Sequence, residues 1–194
     1  ASGIDGAGMQ LFLDLYVNTV GMTKDYGMLG EPAMALVNHQ FHQSKGFILS
    51  PHVPTYRASA LAEYGARGLA LPRRRLIGVM TKTADELDGR VYPDGTFSKP
   101  VTKRDWARLN EGSTISTEIL IGAGANPKSI LVSKVQGAHP GGTAAIGKVV
   151  DCDLQTEIDN LFVCDASVLP KAPGLPPILT IVALAKRLGR ALAA

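Results

Sequence analysis

The sequence predicts a mixed α/β chain of the α+β type, and three observations predict it. Apolar residues alternate roughly by twos in "MQLFLDLYVNTV" (9–20) and form short blocks in "GFILSPHV" (46–53) and "RRLIGVMTKTA" (74–84), the patterns of strands. They recur at helical spacing in "TYRASALAEYGARG" (55–68) and "TKRDWARLNEGSTISTEILIGAGA" (102–125). The chain closes on "PPILTIVALAKRLGRALAA" (176–194), an apolar helix with proline in its first turn and basic residues towards its end, where they meet the negative pole of the helix dipole.

In chain order, a glycine-rich start leads into the 9–20 strand, and "GEPAMALVNHQFHQ" (30–43) fits neither period. Pro51 closes the 46–53 strand. The 55–68 helix takes Thr55 as N-cap and stops at Gly65 or Gly68. Residues 74–84 and 89–101 read as paired strands, the second folded by the turn Pro93-Asp94-Gly95. The next helix has Thr102 as cap, an acid in its first turn, and Trp106, Leu109, Ile115, Ile119 and Leu120 on one face. "KSILVSKVQ" (128–136) is a strand. "DNLFVCDAS" (159–167) is a buried one, apolar on both faces around Leu161 to Cys164, so its sheet is expected to come largely from residues outside this chain.

With 194 residues, 45% hydrophobic and 19% charged, the chain can bury one ordinary core or two small lobes. A net charge of +3 and one short basic cluster, "PRRRL" (72–76), argue against nucleic acid or a membrane surface as partner. No stretch reads as a membrane span, since Asp14, Asn18 and Thr19 interrupt the first apolar run. Cys152 and Cys164 form no CxxC and read as core thiols of a reducing compartment, the cytoplasm. The absence of an initiator methionine suggests part of something longer. His39, His42 and His52 lack acids at zinc spacing, so no metal is expected. "GIDGAG" (3–8) and "GAGANP" (122–127) both fail the dinucleotide fingerprint, the first in order and the second at its final proline.

The informative part is the tail. A strand ending in "CDAS", a proline-glycine loop and a helix opened by "PPILT" aim backbone N–H groups at whatever lies beyond the strand, a setting that favours negative charge. Just upstream, "GAHPGGTAAIGKVVD" (137–151) sets His139 among glycines that allow close backbone approach to a ligand, and imidazole takes a proton near neutrality.

The run "AHPGGTAAIG", "VVD", "DNLFVCDASVLP", "GLPPILTIVALAKRLGRAL" resembles the C-terminal part of the glucose-methanol-choline (GMC) flavin oxidoreductases, and "SGIDGAGMQLFLD" resembles the stretch after that family's N-terminal FAD lobe. The resemblance implies the C-terminal part of a GMC-type FAD-binding fold plus its antiparallel-sheet substrate lobe. Residues 1–50 would connect the FAD lobe to the start of the substrate lobe, 51–136 would form the substrate lobe, and 137–194 would complete the FAD lobe. It implies FAD as cofactor, a small-molecule alcohol or polyol as substrate, and an N-terminal FAD-binding lobe as partner, in the same precursor or a separate chain; homo-oligomers are compatible with it. By the same resemblance His139 is the base that takes the hydroxyl proton. Asp165 and Ala166 lie along the ribityl and phosphate chain, and Pro177 and Ile178 approach the pyrimidine edge of the isoalloxazine. One position departs: where the family carries a second histidine or an asparagine stands Pro176, which can neither donate a hydrogen bond nor move a proton. That departure motivates one alternative, another flavin chemistry such as a lyase on the same scaffold; a second alternative, of a different class, is a non-catalytic lobe that binds a partner chain.

Overall fold

The structure is a computed structural model that describes residues 3–32 and 34–193. It divides into two compact units, Ala1–Leu15 with Ala84–Asp105 and Gly137–Ala194, and Tyr16–Thr83 with Trp106–Gln136.

The second unit is an antiparallel sheet covered on both faces. β2 (Leu15–Met22), β3 (Phe47–Pro51), β4 (Leu76–Thr83) and β7 (Leu131–Val132) lie in the order β3-β4-β2-β7. The register sets Thr19 opposite Val79 and Val20 opposite Gly78, so alternate residues of β2 and β4 serve opposite faces. On one face Val20, Leu76 and Val53 pack with Tyr64 and Leu71, near α2 (Arg57–Tyr64) and the short α3 (Ala66–Leu69). On the other, Ile77 packs with Leu120 and Ala125 at the end of α4 (Lys103–Gly122), and a Cβ at Gly112 would stand 2.2 Å from Thr81 Cγ2, so the helix lies directly on β4. The buried positions of α4 are Asp105, Leu109, Gly112, Ser116 and Leu120, while Trp106 and Ile119 are exposed. Small residues at 112 and 116 permit close approach to the sheet, and this places the seam on a face other than the most apolar one.

A buried polar cluster accompanies the first of those faces. Asn18 Nδ2 donates to Glu63 Oε2 at 2.9 Å, and the Tyr64 hydroxyl donates to the Asn18 carbonyl at 3.1 Å. Burial, and then the nearby Glu63 charge, hold the Tyr64 phenol well above its ordinary pKa; the same causes raise Tyr16.

The first unit carries a small sheet, β1 (Met9–Leu11), β5 (Gly89–Val91) and β6 (Phe97–Ser98). Its core is Val150, Leu154 and Val168, covered by Val163, Cys164 and by Leu184 and Leu188 of α5 (Ile178–Leu192). The remaining elements are α1 (His42–Lys45) in the second unit and the two-residue β8 (Gln136–Gly137).

Several elements differ from the sequence expectation for identifiable reasons. The 9–20 run is two strands, because Asp14, between them, takes left-handed backbone, φ +50°, that a continuous strand cannot hold; Gln10, φ +64°, makes the register irregularity within β1. β4 pairs with β2 and β3, not with 89–98, where β5 pairs with β1 and with β6: Gly95 N–H donates to Tyr92 O and Tyr92 N–H to Thr96 O around the expected turn. The cap of α2 is Tyr56 rather than Thr55, with Ser59 Oγ accepting the Tyr56 N–H at 3.2 Å, and the helix stops at Gly65. Residues 161–164 form no strand among the described residues. Phe162 bridges only Gln155, and Leu161 is exposed.

Candidate active site

Residues 12–14 and 138–142 form the frame. Phe12 and Gly141 exchange both backbone hydrogen bonds at 3.1 Å, and the N–H groups of Ala138 and His139 both donate to Leu13 O, at 2.8 and 3.0 Å. Phe12 is fully buried against the glycines. A Cβ at Gly141 would stand 2.4 Å from Phe12 Cζ and 2.6 Å from Ala166 O; at Gly142, φ +85°, it would stand 2.4 Å from Gln10 O. The glycines after the histidine are thus required by protein packing in the first instance, where the sequence suggested ligand approach.

His139 leaves this frame with 27% of its side chain exposed and Nδ1 3.1 Å from Asp14 Oδ2. Asp14 is wholly buried, and its Oδ1 accepts the Gly174 N–H at 3.1 Å. The chain beyond His139 runs beside the other predicted residues. Gly142, Ala144 and Ile146 N–H donate to the carbonyls of Ala166, Ser167 and Val168 at 3.3, 2.9 and 2.9 Å. Asp165 caps the 3-10 turn Ala166–Val168, its Oδ1 accepting the Ser167 N–H at 2.7 Å. Pro177 is the buried N-cap of α5, followed by Ile178 and Leu179, 65% and 84% exposed. Pro176 and Lys171 are exposed.

His139, Asp165 and Ala166 therefore belong to one backbone network, and the loop that leads to Pro177 and Ile178 is tied at Gly174 to the carboxylate that holds His139. Asp14 and Phe12 are the residues that sequence reasoning passed over. Their one signal was an acid inside an otherwise apolar run, "LFLDLYV". Beside the network a cleft of about 420 Å³ is lined by small residues such as Gly8, Thr143 and Ala144 together with larger ones, among them Val91, Tyr92 and Val149. Among the described residues no three His, Cys, Asp or Glu side chains gather where a metal could sit; His52 faces Glu63, with Nε2 3.7 Å from Oε1.

The arrangement can present a part-exposed imidazole held by a buried carboxylate, and a helix start whose first N–H groups lack partners within the helix. Known proteins share the fold. Residues 82–185 match the family described as GMC oxidoreductase. An uncharacterized protein of Methanocaldococcus jannaschii is 32% identical over 187 residues, 96% of this chain and 46% of that protein. A long-chain-alcohol oxidase of Arabidopsis thaliana is 29% identical over 153 residues, 57% of this chain and 20% of its own length. Among solved structures, pyridoxine 4-oxidase from Mesorbium loti superposes with a TM-score of 0.66 at 18% identity, covering 97% of this chain and 44% of its own. Formate oxidase of Aspergillus oryzae RIB40, whose FAD modification has been studied structurally, gives 0.61 at 17% identity, covering 94% and 46%. The chain thus spans just under half the length of the relatives it matches over nearly its whole extent. With the family match over residues 82–185 and a shared fold over 97% of its residues, the chain belongs to the GMC oxidoreductases, to whose C-terminal portion it corresponds.

Proposed function

We propose that this chain is the proton-handling portion of an FAD-dependent oxidoreductase that oxidises the CH–OH group of a small alcohol or polyol. The observation that supports it best is His139, part-exposed and held through Nδ1 by a buried carboxylate. In this reading residues 51–136 form the substrate lobe, with 1–50 leading into it. Residues 137–194 complete an FAD lobe whose ADP-binding part is an N-terminal segment of the same precursor or another chain.

The residues fit such a cofactor in two respects. The cleft beside Thr143 and Ala144 is bounded by the small residues Gly3, Ala7 and Gly8 and also by the apolar Val91, Val149 and Val163, and the start of α5 is open, with Ile178 and Leu179 exposed. FAD, when bound, supplies the two-electron acceptor for the carbinol carbon. Pro177 and Ile178 would sit at the pyrimidine edge, where the positive pole of α5 stabilises negative charge. Asp165 and Ala166 would lie along the ribityl and phosphate chain. Asp165 spends its Oδ1 on the Ser167 N–H, so its part there is to shape the turn that carries Ala166. His139 takes the hydroxyl proton as the carbon is oxidised, acting as a positioned general base.

The test is rapid-mixing reduction of the bound flavin in the complete protein. His139→Ala should slow it by roughly two to four decades, the usual contribution of a positioned base, with substrate binding changed less. Equal rates would remove His139 from the mechanism. Pro176, exposed and without a donor, favours a second reading, flavin chemistry other than alcohol oxidation on the same scaffold. A flavin that no alcohol bleaches without oxygen would favour that reading.

A further inference from the structure

We propose that Asp14 is the positioning residue of this site, fixing the tautomer of His139 so that Nε2 carries the lone pair that accepts the substrate proton. The inference rests on His139 acting as the base and adds how the imidazole is set for it. An ionised carboxylate only accepts hydrogen bonds. With Asp14 Oδ2 3.1 Å from Nδ1, the neutral ring places its proton on Nδ1 and its lone pair on Nε2.

The carboxylate is itself held. Asp14 has no solvent exposure and a left-handed backbone, φ +50°, a conformation uncommon outside glycine that the surroundings must impose. Its Oδ1 accepts the Gly174 N–H at 3.1 Å, which fixes the plane of the carboxylate. Immediately upstream, the Leu13 N–H donates to Asp85 Oδ2 at 3.1 Å, and Asp85 pairs with Lys99 at 2.9 Å, both side chains buried. The Leu13 carbonyl takes the N–H groups of Ala138 and His139. The same two residues thus grip His139 by its backbone and by its ring. Supporting contacts of this kind set the precision of a catalytic group.

The Gly174 contact makes the inference sharp. In Asp14→Asn one side-chain atom must remain an acceptor for the Gly174 N–H, so the amide oxygen goes there and the NH₂ group faces Nδ1. Nδ1 must then accept, the ring proton moves to Nε2, and the base has no lone pair to offer. An amide tolerates this left-handed backbone nearly as well as the acid, which favours a folded variant.

The experiment uses the full-length flavoprotein with ¹⁵N-labelled histidine at pH 8.5. Long-range ¹H–¹⁵N spectra report the protonation of each ring nitrogen, and His139 is assigned by the signals lost in His139→Gln. In the wild type Nδ1 should carry the proton and Nε2 none. In Asp14→Asn the pattern should invert, flavin reduction should fall by ~10²–10⁴-fold as it does for a wrong tautomer in hydrolytic triads, and KM and flavin content should change little. A wild-type ring with Nδ1 unprotonated, or with both nitrogens protonated, overturns the proposal without need of any variant. So does Asp14→Asn with unchanged tautomer and rate. If His139→Ala reduces its flavin at the wild-type rate the base reading falls, while the ring spectra still decide whether Asp14 sets the tautomer.

Discussion

At the residue scale, the site depends on side chains chosen for what they exclude. Gly141 faces Phe12 and the Ala166 carbonyl at distances no Cβ tolerates. Gly141→Ala must push apart the segment that carries Phe12 and Asp14 and the turn that carries Asp165, and overpacking of this kind costs about 1–3 kcal/mol. We expect a lower thermal midpoint and weakened flavin retention; an unchanged midpoint would mean that the loop yields at no cost. Lys99 and Asp85 are the second residue-scale test, 2.9 Å apart with side chains 2% and 0% exposed. Lys99→Met leaves a buried carboxylate uncompensated and should destabilise by about 3–5 kcal/mol, read by chemical denaturation. The double variant with Asp85→Leu should recover only part of the loss, because an apolar pair can match a buried ion pair but the Leu13 N–H then loses its acceptor.

At the scale of elements, α4 begins with reciprocal capping. The Asp105 N–H donates to Thr102 Oγ1 at 3.1 Å, while Asp105 Oδ2 accepts the Thr102 N–H at 3.0 Å. Thr102→Ala should cost ~1 kcal/mol, measured as a shift in denaturation midpoint. The packing of α2 carries a pH signature. Tyr64 and Tyr16 are both held above their ordinary pKa, chiefly by burial and then by Glu63. Unfolded tyrosine ionises near pH ~10, so their contribution is fully present below that pH. Above it the unfolded chain releases protons that the folded chain retains, and stability falls as pH climbs. Thermal midpoints taken from pH 8 to 11 should decline less steeply in Tyr64→Phe than in the wild type. Parallel slopes would show that this phenol does not contribute to the alkaline loss.

At the scale of the whole molecule, the chain holds the histidine, the turn at Asp165 and the start of α5, but no glycine-rich phosphate loop of the dinucleotide type. Titration of this chain with FAD should therefore show weak binding, with only the flavin end contributing contacts. Submicromolar affinity in the absence of a second polypeptide would contradict the assignment of the ADP-binding lobe to residues elsewhere. Leu161 and Phe162 belong to this scale too. They read as a two-faced buried strand, yet they find only Gln155 as a bridge partner among the described residues.

The sequence by itself determined the mixed architecture, the cap of α4, the Pro93-Asp94-Gly95 turn and the family, because each is written in local period, local turn chemistry or a run of residues in fixed order. It also made His139 the candidate base. What it did not determine were the partners of each strand and the seam of α4. Register and burial depend on residues far away in the chain: β4 finds β2 and β3 rather than its neighbour 89–98, and Gly112 and Ser116 make the seam because β4 needs room there. Asp14 illustrates the same limit at the site. In sequence it is an acid that interrupts an apolar run, a hundred and more residues before His139 and Gly174, and only folding brings its two oxygens onto the imidazole and the Gly174 N–H. A hydrogen bond between distant residues leaves no period behind, so the candidate base was legible in the sequence and the carboxylate beside it was not.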